Sequence, residues 1–349
     1  MEKNISALGL LDLMICPGFC VKDHKILQVN EAAKRCFLEP GTDVSELLVT
    51  GQQEYAAFQE GCLYLTLKAA GEIQSATVTR VEDLDVFILD EAQELQELQV
   101  LALAAQALRL PLSNVMLSAE QLSAGEENRE CKARLLRGTA QLQRMVCNMS
   151  DALRYLRKGR MEIRNITALV EEIFEKSRLL AQEAGISLSY QGPREDIFTL
   201  TDGEQLERAI YNLISNSLKF TPRGGTVTAC LRRKGKLLQL TVEDSGSGIA
   251  DGILQNVFTR YLRQPSLEDS RFGLGLGMVL VRAAARTHGG TVLIDRPQKG
   301  ARISLTLSVK EKEDSVLCSP VLTVDYAGER DHGLLELSEN LPADLYLPD

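Results

Sequence analysis

The alternation of apolar and polar positions changes period twice along this chain. Residues 14–21 and 25–29 are short apolar runs, and Asp23-His24 between them suits a tight turn. Asn30 stands where it can cap a helix over residues 31–37. Three more strand-like runs cover residues 62–67, 75–81 and 85–89, separated by Gly71 and by Glu82-Asp83. From residue 91 the period lengthens. Leu95, Leu98, Leu101, Ala105, Leu108 and Leu112 fall near heptad spacing, which predicts a helix entering a coiled coil or bundle. The pattern continues past Pro111 to Leu122 and meets a turn at Gly125-Glu126-Glu127-Asn128. A second helix then carries Leu135, Leu142, Met145, Met149 and Leu156 on one stripe. One hairpin cannot bury so wide an apolar face, so pairing of two chains into a four-helix bundle is the natural outcome. An intramolecular helical connector is the alternative.

Beyond residue 159 strands and helices mix. Residues 159–165 read as a strand and its turn, and residues 168–183 as an amphipathic helix closed by Gly185. A strand over 186–190 follows, and Asp202 can cap a helix over 204–220. Strands 226–232 and 236–242 pair across Arg233-Lys234-Gly235, and 291–294 with 301–309 close the sheet. This predicts antiparallel strands on one side and helices on the other. The fold class is α+β multidomain: an α/β unit over 1–90, a two-helix hairpin over 91–160, an α/β sandwich over 161–310 and an acidic tail over 311–349. Within the tail, residues 321–324 suit a strand and 334–337 a short helix. A docked extension and a partner-binding tail both fit.

Composition narrows the classes. A length of 349 residues accommodates two or three domains, and 44% hydrophobic with 25% charged residues is ordinary for a soluble globular protein. No apolar run approaches the roughly 20 residues of a membrane helix; residues 8–16 are too short for one and carry Asp12, and their only basic flank is Lys3, beside Glu2, which argues against a signal peptide. The expected location is cytoplasmic, with no membrane segment. A net charge of -9 argues against nucleic acid as the main partner. Eight scattered cysteines without a CxxC suit free thiols in a reducing compartment. Cys16, Cys20 and His24 are better explained by packing than by a metal, because a short strand does not set them tetrahedrally.

The chemistry gathers late in the chain. Asp244 ends an alternating run, and Gly246 and Gly248 follow, where a missing Cβ lets a ligand or a backbone approach closely. Gly273, Gly275 and Gly277 open the helix over 278–287, and a glycine turn feeding a helix N-terminus suits phosphate. Together the two clusters suit adenine at one end and a triphosphate at the other. Asn212 and Asn216, four apart on the 204–220 helix, share a face, with Lys219 beyond. Such a set suits magnesium and polyphosphate oxygens, although two asparagines alone equally suit a capped or solvated face.

Two resemblances follow from these residues. The run Phe19-Cys20-Val21-Lys22-Asp23-His24-Lys25-Ile26-Leu27-Gln28-Val29-Asn30-Glu31-Ala32-Ala33, followed by a three-strand meander, resembles a compact PAS sensory domain; an α/β dimerisation module without ligand is the alternative. Residues 202–309 resemble the ATP-binding domain of sensor histidine kinases, in the GHKL ATPase superfamily. The segment from Asn212 to Pro222 is similar to the N box, and Asp244-Ser245-Gly246-Ser247-Gly248-Ile249 to the G1 box. Phe258-Thr259-Arg260-Tyr261-Leu262-Arg263 resembles the F box, and 273–278 the G2 box. The resemblance implies ATP and Mg as cofactors. It implies that Asn216 ligates magnesium, with Asn212 and Lys219 nearby, and that Asp244 accepts from the adenine amino group. By the same implication Gly246 and Gly248 line the base pocket, Arg263 approaches the phosphates, and Gly273, Gly275 and Gly277 wrap them. ATP-hydrolysing branches of the superfamily carry a Glu where this chain has Asn212, so slow or no intrinsic hydrolysis is expected.

The hairpin resembles the dimerisation and phosphoacceptor domain, whose signature is His-Glu-Leu-Arg-Thr-Pro-Leu. This chain reads Gln106-Ala107-Leu108-Arg109-Leu110-Pro111-Leu112. The nucleophilic His is Gln106, whose amide nitrogen has no lone pair to attack phosphorus. The adjacent acid is Ala107, and the position that serves dephosphorylation is Leu110. The expectation is a homodimer, or a heterodimer with another histidine kinase, that binds Mg·ATP without phosphorylating itself and has a response regulator as a further partner. Phosphoryl transfer to another protein in trans, and a non-enzymatic scaffold role, are the competing expectations.

Overall fold

The computed structural model describes residues 16–81, 83–89, 128–154, 160–249, 276–310 and 332–347, with Leu11 and scattered positions between 104 and 119. Strands β1 (Gly18–Lys22) and β2 (Lys25–Val29) form a hairpin. Its two-residue turn needs positive φ at both positions, and Asp23 and His24 supply φ of 50° and 63°. Asn30 then works in two directions. Its Oδ1 accepts from Ala33 N at 2.9 Å, capping α1 (Glu31–Lys34), and from Gly18 N at 3.1 Å, which ties the helix to the hairpin. The helix is shorter than the expected 31–37, and Phe37 ends the turn in the left-handed region. Helices α2 (Val44–Leu47) and α3 (Gln52–Ala56) precede a meander of β3 (Cys62–Ala69), β4 (Glu72–Val81) and β5 (Leu84–Leu89). A stacked pair, Phe19 on Phe87, with Tyr55 edge-on, fills the core of this unit.

The second hairpin helix, α4 (Arg129–Arg154), has two working faces. Ala133, Leu136, Ala140, Val146 and Met149 are buried. Leu135 and Leu142 of the predicted stripe are instead 39% and 50% exposed. Most of the first hairpin helix lies outside the described residues; Gln106 is helical and exposed.

The C-terminal half begins with β6 (Glu162–Asn165) and α5 (Ile166–Glu183), which Asn165 caps. Strand β7 (Ser187–Gln191), β8 (Phe198–Thr201) and α6 (Gly203–Phe220) follow. Asp202 caps α6 by accepting from Gln205 N at 3.0 Å. Strands β9 (Thr226–Lys234) and β10 (Leu237–Asp244), helix α7 (Gly277–Thr287), and β11 (Val292–Asp295) with β12 (Arg302–Ser308) complete the sandwich. A short α8 (His332–Glu336) and a 3-10 turn (Ala343–Tyr346) end the described chain. Helices α5, α6 and α7 bury Phe174, Leu213, Ile214 and Val281 against strand residues Val227, Leu240 and Leu305 in one cluster. Two features depart from expectation. β7 pairs with β9 in parallel, and β6 pairs with β8 in a separate two-stranded sheet.

The main sheet is shared between the halves. Its ten strands run β2-β1-β5-β4-β3-β11-β12-β10-β9-β7. The joint is antiparallel, with Tyr64 opposite Val292, Leu63 opposite Leu293 and Cys62 opposite Ile294. Gly61 enters it at φ 98°, and a Cβ there would stand 2.0 Å from Ile294 O. Tyr64 belongs to the C-terminal core and Leu63 to the N-terminal one, as alternation along a strand requires.

Candidate functional site

Asp244 sits at the last position of β10, 7% exposed. Its amide donates to Ala301 O, and its Oδ1 accepts from Gly246 N at 2.9 Å and Ala301 N at 3.3 Å. Burial holds the carboxyl above the usual carboxylate range, against the opposing pull of those two N–H donors. The backbone around it is packed too closely for side chains. A Cβ on Gly300 would lie 1.7 Å from Asp244 O, at φ 78°, and one on Gly246 would lie 2.4 Å from Phe220 O. Gly300 escaped the sequence reading, although Lys299-Gly300 between two strands is a turn signal. Gly248 has a φ of 75°, which its residue type permits without strain.

Phe220 ends α6, so the backbone that Gly246 approaches belongs to the helix carrying the amide face. Further back along the same helix, Asn212 and Asn216 meet the first turn of α7. A Cβ on Gly277 would come within 2.9 Å of Asn212 Oδ1 and 3.7 Å of Asn216 Nδ2. Asn216 is half-buried, its Nδ2 3.6 Å from Met278 Sδ. Asn212 is only 2% exposed: its Nδ2 donates to Arg208 O, and Arg144 of α4 donates to its Oδ1 at 3.4 Å. Lys219 Nζ lies 3.0 Å from Glu339 Oε2. The structure thus sets Asp244 and Gly246 at the C-terminal end of α6, and Asn212, Asn216, Lys219 and Gly277 along the C-terminal half of that helix. It turns Asn212 into the seam with α4 and pairs Lys219 with the C-terminal segment. Arg263, Gly273, Gly275, Ala107 and Leu110 lie outside the described residues.

Charged residues that the motifs do not include lie along α6 and α4, next to Asn212. Arg208 of α6, fully buried, has Nε 2.8 Å from Asp151 Oδ2 and Nη1 3.2 Å from Glu336 Oε1. Arg144 has Nε 3.2 Å from Glu336 Oε2 and Nη1 3.3 Å from Glu339 Oε1. Their only sequence signal was a polar residue at a core-spaced position. His288, in the turn that follows α7, is buried beneath the start of α6. Its Nδ1 donates to Ala284 O at 2.7 Å, while Nε2 accepts from Asp202 N at 3.1 Å and pairs with Thr201 Oγ1 at 2.7 Å. That network fixes a neutral imidazole, and burial lowers its pKa.

A buried carboxylate closing one strand, glycine-framed backbone beside it and an amide-bearing helix opposite define a nucleotide-binding α/β sandwich. A family model described as "Histidine kinase-, DNA gyrase B-, and HSP90-like ATPase" matches residues 201–311. The hybrid signal transduction histidine kinase D of Dictyostelium discoideum is 31% identical over 275 residues, covering 72% of this chain and 17% of that protein. Sensor histidine kinase CusS of Escherichia coli (strain K12) is 29% identical over 211 residues, 58% of this chain and 44% of that one. Among solved structures, full-length ShkA in complex with AMPPNP shares the fold at a TM-score of 0.50 and 21% identity, over 61% of this chain and 47% of that one. The chain spans less than half the length of each of these three. Residues 201–311 are an ATP-binding domain of the sensor histidine kinase type, in the GHKL superfamily. No helix among the described residues is long and apolar enough to cross a membrane.

Proposed function

We propose that this chain is a cytoplasmic, dimeric, histidine-kinase-like signalling protein that binds Mg·ATP and does not phosphorylate itself. The observation that carries the first part is Asp244, a buried carboxylate held by two backbone donors and enclosed by positions where no Cβ fits. An acceptor fixed in this way suits an exocyclic amine, as an adenine presents. The residues also fit the phosphate end in kind: Asn216 with Asn212 beside the start of α7 for magnesium, and Lys219 for phosphate oxygens. The nucleotide analogue in the ShkA complex is of the class proposed here. When bound, magnesium and ATP would supply an electrophilic γ-phosphorus; this chain's residues bind and orient it. Self-transfer fails on our reading because the exposed helical position that should carry the nucleophile is Gln106.

The further parts of the reading are a PAS-like sensor over 1–90, a dimerising hairpin over 91–160, the ATP-binding domain over 161–310 and a tail over 311–349. The hairpin, short helices and meander from β1 to β5 support the first, and the outward Leu135 and Leu142 support dimerisation. A response regulator, or another kinase as partner, follows from placing the chain in two-component signalling. Titration calorimetry with Mg·ATP tests the core of the proposal. Binding is expected, weakened about thirty-fold or more in Asp244→Asn, where an acceptor facing an amine becomes a mixed amide. Incubation with γ-labelled ATP is expected to leave the chain without acid-labile phosphate. Undiminished binding by Asp244→Asn, or acid-labile label on the wild type, overturns the corresponding half.

A further inference from the structure

The segment after residue 331 does more than extend the chain. Leu337 and Leu341 lie in the same apolar cluster as the sandwich core, and Leu335 packs against Ala140 of α4. Between these anchors the backbone is held from both sides. Arg137 and Gln141 of α4 donate to Ser338 O at 3.2 and 3.0 Å, and Asn340 donates to Ser215 Oγ of α6 at 3.0 Å. The turn so fixed directs two carboxylates inward. Glu336, with no exposed surface, bridges Arg144 and Arg208. Glu339 bridges Arg144 and Lys219.

The charges show what the seat is for. Arg144, Arg208 and Lys219 face three carboxylates, Asp151, Glu336 and Glu339. Two of the three come from the C-terminal segment. Glu336 gives one oxygen each to Arg144 and Arg208, and Glu339 one each to Arg144 and Lys219, so the segment brings negative charge to all three cations. The segment thereby sets anionic oxygens on Arg144, which also donates to Asn212, and on Lys219. A nucleotide's polyphosphate would bring them to the same place, so the segment and the nucleotide compete for one cation.

We infer that residues 332–347 are an autoinhibitory clasp, in which the Glu339 carboxylate takes a phosphate's seat at Lys219 and locks the ATP-binding half onto helix α4. The inference rests on the nucleotide-binding reading of this site. It follows that a nucleotide must displace Glu339, and that removing its charge raises nucleotide affinity. Glu336 and the leucines would then keep the segment near, so that it re-closes when the nucleotide leaves.

The test uses the full chain and Mg·AMPPNP as probe. Glu339 is one-third exposed, so Glu339→Gln keeps the fold and the side chain's size while removing its charge. It is expected to bind Mg·AMPPNP about ten-fold more tightly than wild type. In wild type, Mg·AMPPNP is expected to speed amide hydrogen exchange within residues 332–347. Equal affinities with unchanged exchange overturn the clasp and leave nucleotide binding standing. Absence of binding by both proteins overturns nucleotide binding and the clasp together.

Discussion

The two ends of the phosphoryl path, as the histidine kinase resemblance lays it out, are built with very different tolerance. At the base end Asp244 is buried, held by two N–H donors and walled by glycines whose replacement would drive a Cβ into backbone. At the acceptor end Gln106 is an exposed side chain on a helix surface. A surface nucleophile can be exchanged for an amide at almost no structural cost, whereas the buried end cannot lose a group without disturbing β10, β12 and α6 together. A chain can therefore give up transfer while its binding frame stays whole, and the difference in burial explains why Gln106 and Asp244 need not share a fate.

The largest effect should come from rebuilding the tolerant end. Gln106→His combined with Ala107→Glu restores a nucleophile and its neighbouring acid; acid-labile phosphate is expected from labelled ATP where the wild type gives none. Absence of label would place a defect at the nucleotide end too. Gly300→Ala attacks the intolerant end. With a Cβ 1.7 Å from Asp244 O and a φ of 78°, it should cost about 3 kcal/mol in denaturant unfolding and abolish nucleotide binding. Asp202→Ala touches the frame more lightly. It removes the cap of α6 and an acceptor for Arg160 N, and about 1 kcal/mol is expected from the same measurement.

The smallest effect is read in pH. His288 has a folded pKa below its unfolded value of about 6.5, because burial disfavours the imidazolium. The unfolded chain therefore takes up the proton first. The stability contributed by neutral His288 is present above the unfolded pKa and is lost as pH falls from about 6.5 toward the folded value. Melting temperatures between pH 7.5 and 5.5 should show this decline, and His288→Asn should flatten it.

Much of the architecture was legible because local chemistry announces it. Positive-φ turns, the caps Asn30 and Asp202, and alternating runs marked most elements to within a few residues, whereas the cap Asn165 was not marked. What escaped depends on distant partners. Nothing in residues 187–191 says that β7 will run parallel to β9. β3 shows near-continuous burial, which announces a covered strand but not that β11, more than 200 residues on, covers one edge. At the site, Asp244, Gly246, Gly248 and Gly277 stood out in the sequence, whereas Gly300 did not. Neither did Arg144, Arg208, Glu336 and Glu339, because ion pairs between residues far apart leave no periodic trace.

The joint between β3 and β11 has a further consequence, for solubility. Each strand would otherwise present a row of open N–H and C=O groups at the end of a five-stranded sheet, a template for pairing with another chain. Joined as they are, each half shields the other. A fragment cut to residues 160–310 would bare the edge of β11 together with the apolar surface that Cys62 and Tyr64 cover. Such a fragment should self-associate through that edge, while the joined ten-stranded sheet has β2 and β7 as its terminal strands.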